Sequence, residues 1–201
     1  MLNTNIAVLV SGGGTNLQAI IDAEKSGIIK SGEVKLVISN NPSAYALKRA
    51  EQNGIKTEVI TEKDTASFEK RLIAVLGEND IDLIVLAGFM RILSEDFTSK
   101  YDKRIINVHP SLIPSFCGEG FYGLHVHEAA LKYGVKVTGA TVHFVNEIPD
   151  GGEIILQKAV KVRKGDTPSV LQKRVMEQAE WKILPKAVET ISKEISKGKS
   201  V

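Results

Sequence analysis

Cysteine occurs once in this 201-residue chain, at position 117. A single thiol forms no internal disulfide, so nothing in the sequence points to an oxidising compartment. Long hydrophobic runs are missing as well. The first apolar stretch, Ile6 to Val10, has five residues and no basic flank before it, too short for a signal peptide or a membrane span. A cytoplasmic protein with no membrane partner is the expectation. Excess charge of either sign is also lacking, with 26 basic residues against 24 acidic ones for a net +2. Nucleic-acid binders that neutralise phosphates usually carry a basic stripe, and the only clear basic cluster here is Lys193, Lys197 and Lys199. That segment reads as a solvated, fraying helix end, so no nucleic-acid partner is expected. Repeats, low-complexity tracts and linkers are absent too. What is present is ordinary: 43% hydrophobic and 25% charged residues, the balance of a soluble globular protein, at the length of one domain over residues 1–201. Such a chain buries one sizeable core.

Short apolar runs alternate with amphipathic stretches. Ile6 to Val10, Val34 to Ser39, Thr57 to Ile60, Leu83 to Ala87 and Ile105 to Val108 read as strands. Between them, Leu17, Ile20 and Ile21 make one helical apolar face. Phe68, Leu72, Val75 and Leu76 make another, with Asp64 or Thr65 available as its N-cap. Alternation over the first 110 residues implies a parallel sheet covered on both faces. After Tyr133 the pattern changes. Val135 to Val145 and Glu153 to Val162 are longer strand-like runs joined by Asn146 to Gly152, which reads as a hairpin. A helical stretch from about Thr167 to Ser196 closes the chain, with a break or kink expected near Pro185, because proline removes a helix hydrogen bond. The fold class is α/β: an open, mostly parallel twisted sheet with helices on both faces, Rossmann-like in its N-terminal half, ending in an antiparallel hairpin and a long helix.

Three motifs carry chemistry. Ser11-Gly12-Gly13-Gly14-Thr15-Asn16 lies between a buried strand and an amphipathic helix. Glycines let backbone N–H groups turn toward a ligand, and a helix N-terminus adds partial positive charge, so the loop suits a phosphate. No Lys-Ser/Thr follows the glycines, and Leu17 stands where a dinucleotide motif needs its third glycine. A small phosphomonoester is favoured over a triphosphate or NAD; a tight turn with no ligand is the alternative. Next, Asn107-Val108-His109-Pro110-Ser111-Leu112-Ile113-Pro114 ends the fifth strand. Ligands of open α/β sheets sit outside the carboxyl ends of the strands. Residues two apart on a strand share a face, so Asn107 and His109 project together. An amide donor beside an imidazole offers oxyanion stabilisation and proton transfer in one place, although a histidine at a strand end also serves purely structural roles. Third, Asp150-Gly151-Gly152 occupies the hairpin tip. Its carboxylate, if brought near His109, would raise the imidazole pKa; otherwise it is an Asp-Gly turn.

Other candidates carry less. Cys117 has no base paired with it in sequence and suits inert packing. His125 and His127, two apart at a helix start, diverge, and no cysteine or acidic cluster stands at ligand spacing, so no metal site is expected. Met90 to Leu93 suits core packing or a ligand wall equally well.

Taken in this order, the motifs resemble the glycinamide ribonucleotide transformylases, from Ile6 to about Ile191. Ser11 to Gln18 is similar to the family's phosphate loop and Leu86-Ala87-Gly88-Phe89-Met90-Arg91-Ile92-Leu93 to its folate-pocket segment. Ile106 to Pro114 is similar to its Asn-x-His-Pro-Ser-Leu-x-Pro signature, and Thr141-Val142-His143-Phe144-Val145 leads on to Asp150-Gly151-Gly152. The resemblance implies the formyltransferase fold, with residues 1–110 as the nucleotide half and 111–201 as the folate-binding and closing half. It implies 10-formyltetrahydrofolate as co-substrate, no metal, and a small-molecule acceptor whose amine receives the formyl group. Asn107, His109 and Asp150 would be the catalytic trio. Gly13, Gly14, Thr15, Asn16, Leu17 and Gln18 would hold the ribonucleotide phosphate, and Glu180 the glycinamide end. Met90, Arg91, Ile92 and Leu93, with Asn107 and with Asn146, Glu147, Ile148, Pro149 and Asp150, would line the pterin end. A monomer or a homodimer fits.

The chain departs from the family pattern in three places. Cys117 to Gly123 resembles an insertion, Thr65 or a neighbour stands where some members have a folate-side arginine, and Met176 to Leu184 is one residue longer than in several relatives. Two related enzymes share the trio: methionyl-tRNA formyltransferase, with an extra C-terminal domain, and formyltetrahydrofolate deformylase, with an N-terminal regulatory domain. Neither extra domain is expected in 201 residues. A non-catalytic phosphate-binding module is the reading from another class.

Overall fold

A computed structural model describes residues 3–198, so Lys199 of the basic tail lies outside the described residues. Seven strands form one sheet: β1 (Thr4–Val10), β2 (Gly32–Ser39), β3 (Lys56–Val59), β4 (Leu83–Leu86), β5 (Ile105–His109), β6 (Val137–Phe144) and β7 (Ile154–Lys161). Their order is β3-β2-β1-β4-β5-β6-β7. The first five are parallel, while β6 runs antiparallel to β5 and β7 antiparallel to β6. The helices are α1 (Thr15–Lys25), α2 (Tyr45–Gln52), α3 (Thr65–Glu78), α4 (Glu95–Lys100), α5 (Leu124–Tyr133), α6 (Pro168–Val175) and α7 (Trp181–Ser196). Among the described residues no helix is long and apolar enough to cross a membrane.

The unbroken apolar run of β1 is explained by two cores. Ile6, Val8 and Val10 pack on one face with α1 and α7, through Leu17, Ile20, Leu184 and Val188. Ala7 and Leu9 pack on the other with Phe68, Leu72 and Val75 of α3. A strand covered on both sides cannot alternate apolar with polar residues. Asp64 caps α3, its carboxylate accepting from Ser67 N at 2.8 Å. Strand order reverses about β1, with β2 on one side and β4 on the other. The crevice at such a reversal opens at the carboxyl ends of the strands, where both the glycine loop and His109 lie.

The closing helix corrects one expectation. Pro185 sits inside α7 without breaking it. The interruption comes earlier, as a π-helical turn over Met176–Glu180 in which Trp181 N–H reaches back to the Met176 carbonyl. A proline lacks the N–H that would bond the carbonyl four residues before it, and its ring crowds that carbonyl. Here that residue is Trp181, directly after the widened turn. An i→i+5 turn also takes one residue more than an α-turn.

Candidate active site

At the N-terminus of α1, Gly14 takes the left-handed conformation (φ 72°) and no side chain caps the helix. A Cβ there would lie 2.6 Å from Ala46 Cβ, so glycine is required twice over, by backbone angle and by space. The N–H groups of Thr15, Asn16 and Leu17 are thereby left without the side-chain partner that Asp64, Ser94 and Thr167 provide to α3, α4 and α6. Ser11 ties this loop to its neighbours, its hydroxyl donating to Asn40 Oδ1 and accepting from Met90 N. Below the loop, Asn16 Nδ2 donates to Glu180 Oε2 at 2.8 Å. Burial pushes the Glu180 carboxyl up to about 7, with the Asn16 hydrogen bond pulling the other way. Asn16 and Glu180, both expected at the ribonucleotide, are thus brought together across the fold.

The hairpin tip folds back over β5. Asp150, itself in the left-handed region (φ 57°), places Oδ2 at 3.3 Å from His109 Nδ1 and Oδ1 at 3.5 Å from His143 Nε2. Antiparallel pairing of β5 with β6 sets Asn107 opposite His143, and their side chains meet at 3.1 Å, Asn107 Nδ2 to His143 Nε2. The other His143 nitrogen, Nδ1, lies 2.7 Å from the Phe144 carbonyl. A carbonyl only accepts, so Nδ1 carries a proton, and Nε2 lies between the Asn107 amide and the Asp150 carboxylate. One Asn107 N–H faces His143 and the other remains. His143 was not among the expected site residues. Its signal was present in Thr141 to Val145, where it shares a strand face with Thr141; the register against β5, which sets His143 opposite Asn107, reveals its role.

The electrostatics correct a second expectation. Burial lowers the His109 pKa below its ordinary value; Asp150 and the Phe116 carbonyl pull upward without overcoming it. Burial also disfavours the Asp150 carboxylate, but His143, His109 and the Gly118 N–H together hold its pKa below the usual range. The result is an ionised Asp150 beside a histidine whose pKa stays below its ordinary value in spite of that carboxylate. His109 Nε2 donates to the Phe116 carbonyl at 2.9 Å, and Gly118 N donates to Asp150 Oδ2 at 2.9 Å. The 116–118 segment therefore lies directly on the pair, with Phe116 in the left-handed region (φ 52°). Cys117, in the same segment, donates to the Pro114 carbonyl. Burial and the nearby Asp150 charge push its thiol pKa up, the opposite of nucleophile activation.

Beside these groups a cavity of about 130 Å³ is lined by Arg91, Ile92, Leu93, Asn107 and the 146–150 loop, with Leu86, Phe89, His143 and Val145 added. Met90 is not among its walls; its side chain is exposed. Arg91 donates to the Glu62 and Lys63 carbonyls and lies over the Phe68 ring, joining the segment to the start of α3 near Thr65. His125 and His127 diverge as expected: His125 is exposed beside Glu128, whereas His127 is buried with neither ring nitrogen hydrogen-bonded. Among the described residues no three histidine, cysteine, aspartate or glutamate side chains are grouped to hold a metal ion.

Residues 4–188 match the family model for formyl transferase. The trifunctional purine biosynthetic protein adenosine-3 of Homo sapiens is 46% identical over 190 residues, 93% of this chain but 18% of that protein. The chain thus spans under a fifth of that relative. Phosphoribosylglycinamide formyltransferase of Escherichia coli (strain K12) is 45% identical over 177 residues, covering 87% of this chain and 81% of the relative. Among solved structures, glycinamide ribonucleotide transformylase 1 from Symbiobacterium toebii superposes with a TM-score of 0.88 at 40% identity, covering 95% of this chain and 88% of that one.

Proposed function

The chain belongs to the formyl transferase family, and we propose that it moves the formyl group of 10-formyltetrahydrofolate onto the amine of N1-(5-phospho-D-ribosyl)glycinamide. Tetrahydrofolate and the formylated ribonucleotide leave, a step of de novo purine synthesis that needs no metal. Residues 1–110 hold the ribonucleotide and residues 111–201 complete the folate side. The observation that carries this reading is the convergence of Asn107, His109, His143 and Asp150 at the carboxyl end of β5.

The loop from Gly13 to Gln18 receives the phosphate on backbone N–H groups at the α1 N-terminus, and Glu180 receives the glycinamide end. The segment from Arg91 to Leu93, with Asn146 to Asp150 and Asn107, holds the folate; its apolar walls suit a flat ring. The folate supplies the formyl carbon. His143 fixes the Asn107 amide so that the remaining N–H points to the formyl oxygen, where negative charge grows as the amine attacks. The attacking amine loses a proton and the departing folate nitrogen gains one; His109 carries that proton, and Asp150 steadies the ring while it is charged. The Phe116 carbonyl gives up His109 Nε2 when substrates arrive. The enzyme so described is cytoplasmic and works on small molecules as a monomer or homodimer.

An absorbance assay for the folate product tests the reading, with the ribonucleotide omitted as control. Turnover that needs both substrates is expected. Turnover without the amine would assign the deformylase reaction instead, and phosphate affinity without turnover would leave only a binding module.

A further inference from the structure

Ser11 to Gln18 contains no lysine or arginine, so the counter-charge for a phosphate there comes from elsewhere in the fold. Arg49 of α2 stands against the loop. Its Nε donates to the Gly13 carbonyl at 2.8 Å and one Nη donates to Gln18 Oε1 at 3.2 Å, while its guanidinium lies 5.0 Å from the centre of the Tyr45 ring. The whole start of α2 is seated on the glycines: Ala46 N donates to the Gly12 carbonyl at 3.0 Å, and Arg49 Cδ would lie 3.4 Å from a Cβ on Gly14. Arginine has five N–H donors in a fixed fork, and two are used by these contacts. A cavity of about 590 Å³ opens at this point, bordered by Thr15, Gln18, Arg49, Lys182 and Lys186. The acidic group on its wall, Asp22, already accepts from Gln18 Nε2 at 2.9 Å.

We propose that Arg49 is the charge partner of the acceptor's phosphate, with Lys182 and Lys186 extending the positive field along the cavity; this deepens the formyl-transfer reading and rests on it. Backbone N–H groups offer a phosphate dipoles but no net charge. A phosphomonoester loses hydration when it enters a half-buried loop, and a guanidinium held at the loop's edge compensates with charge-assisted hydrogen bonds. Bracing by Gly13 and Gln18 sets the fork in place before the ligand arrives, so little side-chain freedom is lost on binding. A cation entering from the side of the loop, instead of from its own sequence, reaches one phosphate and not a chain of them.

Kinetics of Arg49→Met and Arg49→Lys, each with the ribonucleotide and with its dephosphorylated riboside, separate charge from scaffold. Arg49→Met should raise KM for the ribonucleotide about 10- to 100-fold, the usual range for a lost charge-assisted hydrogen bond, with kcat within a few-fold. Its loss of kcat/KM on the riboside should be much smaller than on the ribonucleotide, and Arg49→Lys should recover part of the loss. Equal losses on both acceptors, or a lysine variant no better than methionine, would show that Arg49 only props the loop. Calorimetry with ribose 5-phosphate needs no turnover. Affinity that falls in Arg49→Met supports the proposal even if formyl transfer proves absent, whereas unchanged affinity overturns it even if transfer is intact.

Discussion

Glu180 accepts a 2.8 Å hydrogen bond from Asn16, linking the π-helical turn to the glycine loop across 164 residues of sequence. Both side chains are buried, and Asn16 Oδ1 is left without a partner. A carboxyl whose pKa is lifted to about 7 by burial is half protonated near neutral pH, and an arriving ammonium group would draw it into the charged form.

Glu180 and His127 should impose opposite pH slopes on stability. Native Glu180 keeps a proton that the unfolded chain releases between pH 4.5 and about 7, so its contribution is lost as pH rises through that window. Burial, helped by His109, lowers His127 to about 4, so the unfolded chain takes up a proton that native His127 refuses, and stability is lost as pH falls from 6.5 to about 4. Each effect is worth up to roughly 3 kcal/mol. Urea melts across pH 4 to 8 should show steeper acid loss in Glu180→Gln, and in His127→Phe a stability that declines as pH rises. A pH-independent difference between wild type and both variants would refute the assignment.

Asp150 should act through His109. Positioned acid–base groups contribute about 100- to 10,000-fold, and Asp150→Asn and His109→Ala should each lower turnover by that range with both ligands still bound. Since the two work as one unit, the double variant should be little worse than the worse single. Asp150 is the largest upward pull on the His109 pKa, so an NMR titration should find that pKa lower still in Asp150→Asn. Multiplicative losses in turnover would instead mean independent roles.

His143→Phe should remove the ring nitrogen that meets the Asn107 amide while keeping an aromatic ring. An unpaired buried partner costs about 1–3 kcal/mol, which corresponds to a kcat lower by roughly 5- to 150-fold. Ribonucleotide KM should stay near the wild-type value, because the glycine loop lies on another strand end. A change in KM with kcat intact would place His143 outside the chemistry.

Two glycines of one loop should respond differently to the same methyl group. Gly14→Ala meets Ala46 and a left-handed backbone, and should lower stability by roughly 2–4 kcal/mol. A Cβ on Gly13 meets nothing within 4 Å, so Gly13→Ala should melt like the wild type. Loss of ribonucleotide affinity in the stably folded Gly13→Ala, measured by calorimetry, is the expected mark of a phosphate loop; unchanged affinity would move the phosphate away from Gly13.

The sequence by itself determined the strands, several helices, a cap for α3 at Asp64 or Thr65, and the strand-end placement of the glycine loop and of Asn107 and His109. These follow from local causes: apolar period, turn residues and the side-chain alternation of a strand. The likeness of its motifs to one family supplied the roles. Tertiary structure alone decided what touches what. Proline chemistry pointed to a break or kink near Pro185, but α7 runs through Pro185 and the widened turn lies before it, over Met176–Glu180. Charge proximity suggested a raised pKa for His109, yet burial, which no local pattern measures, outweighs the Asp150 carboxylate. His143 acquired its importance from the register of β6 on β5, and Glu180 from a helix returning to α1. Each of these depends on groups distant in sequence, and a chain read residue by residue holds the identity of such groups but not their separation in space.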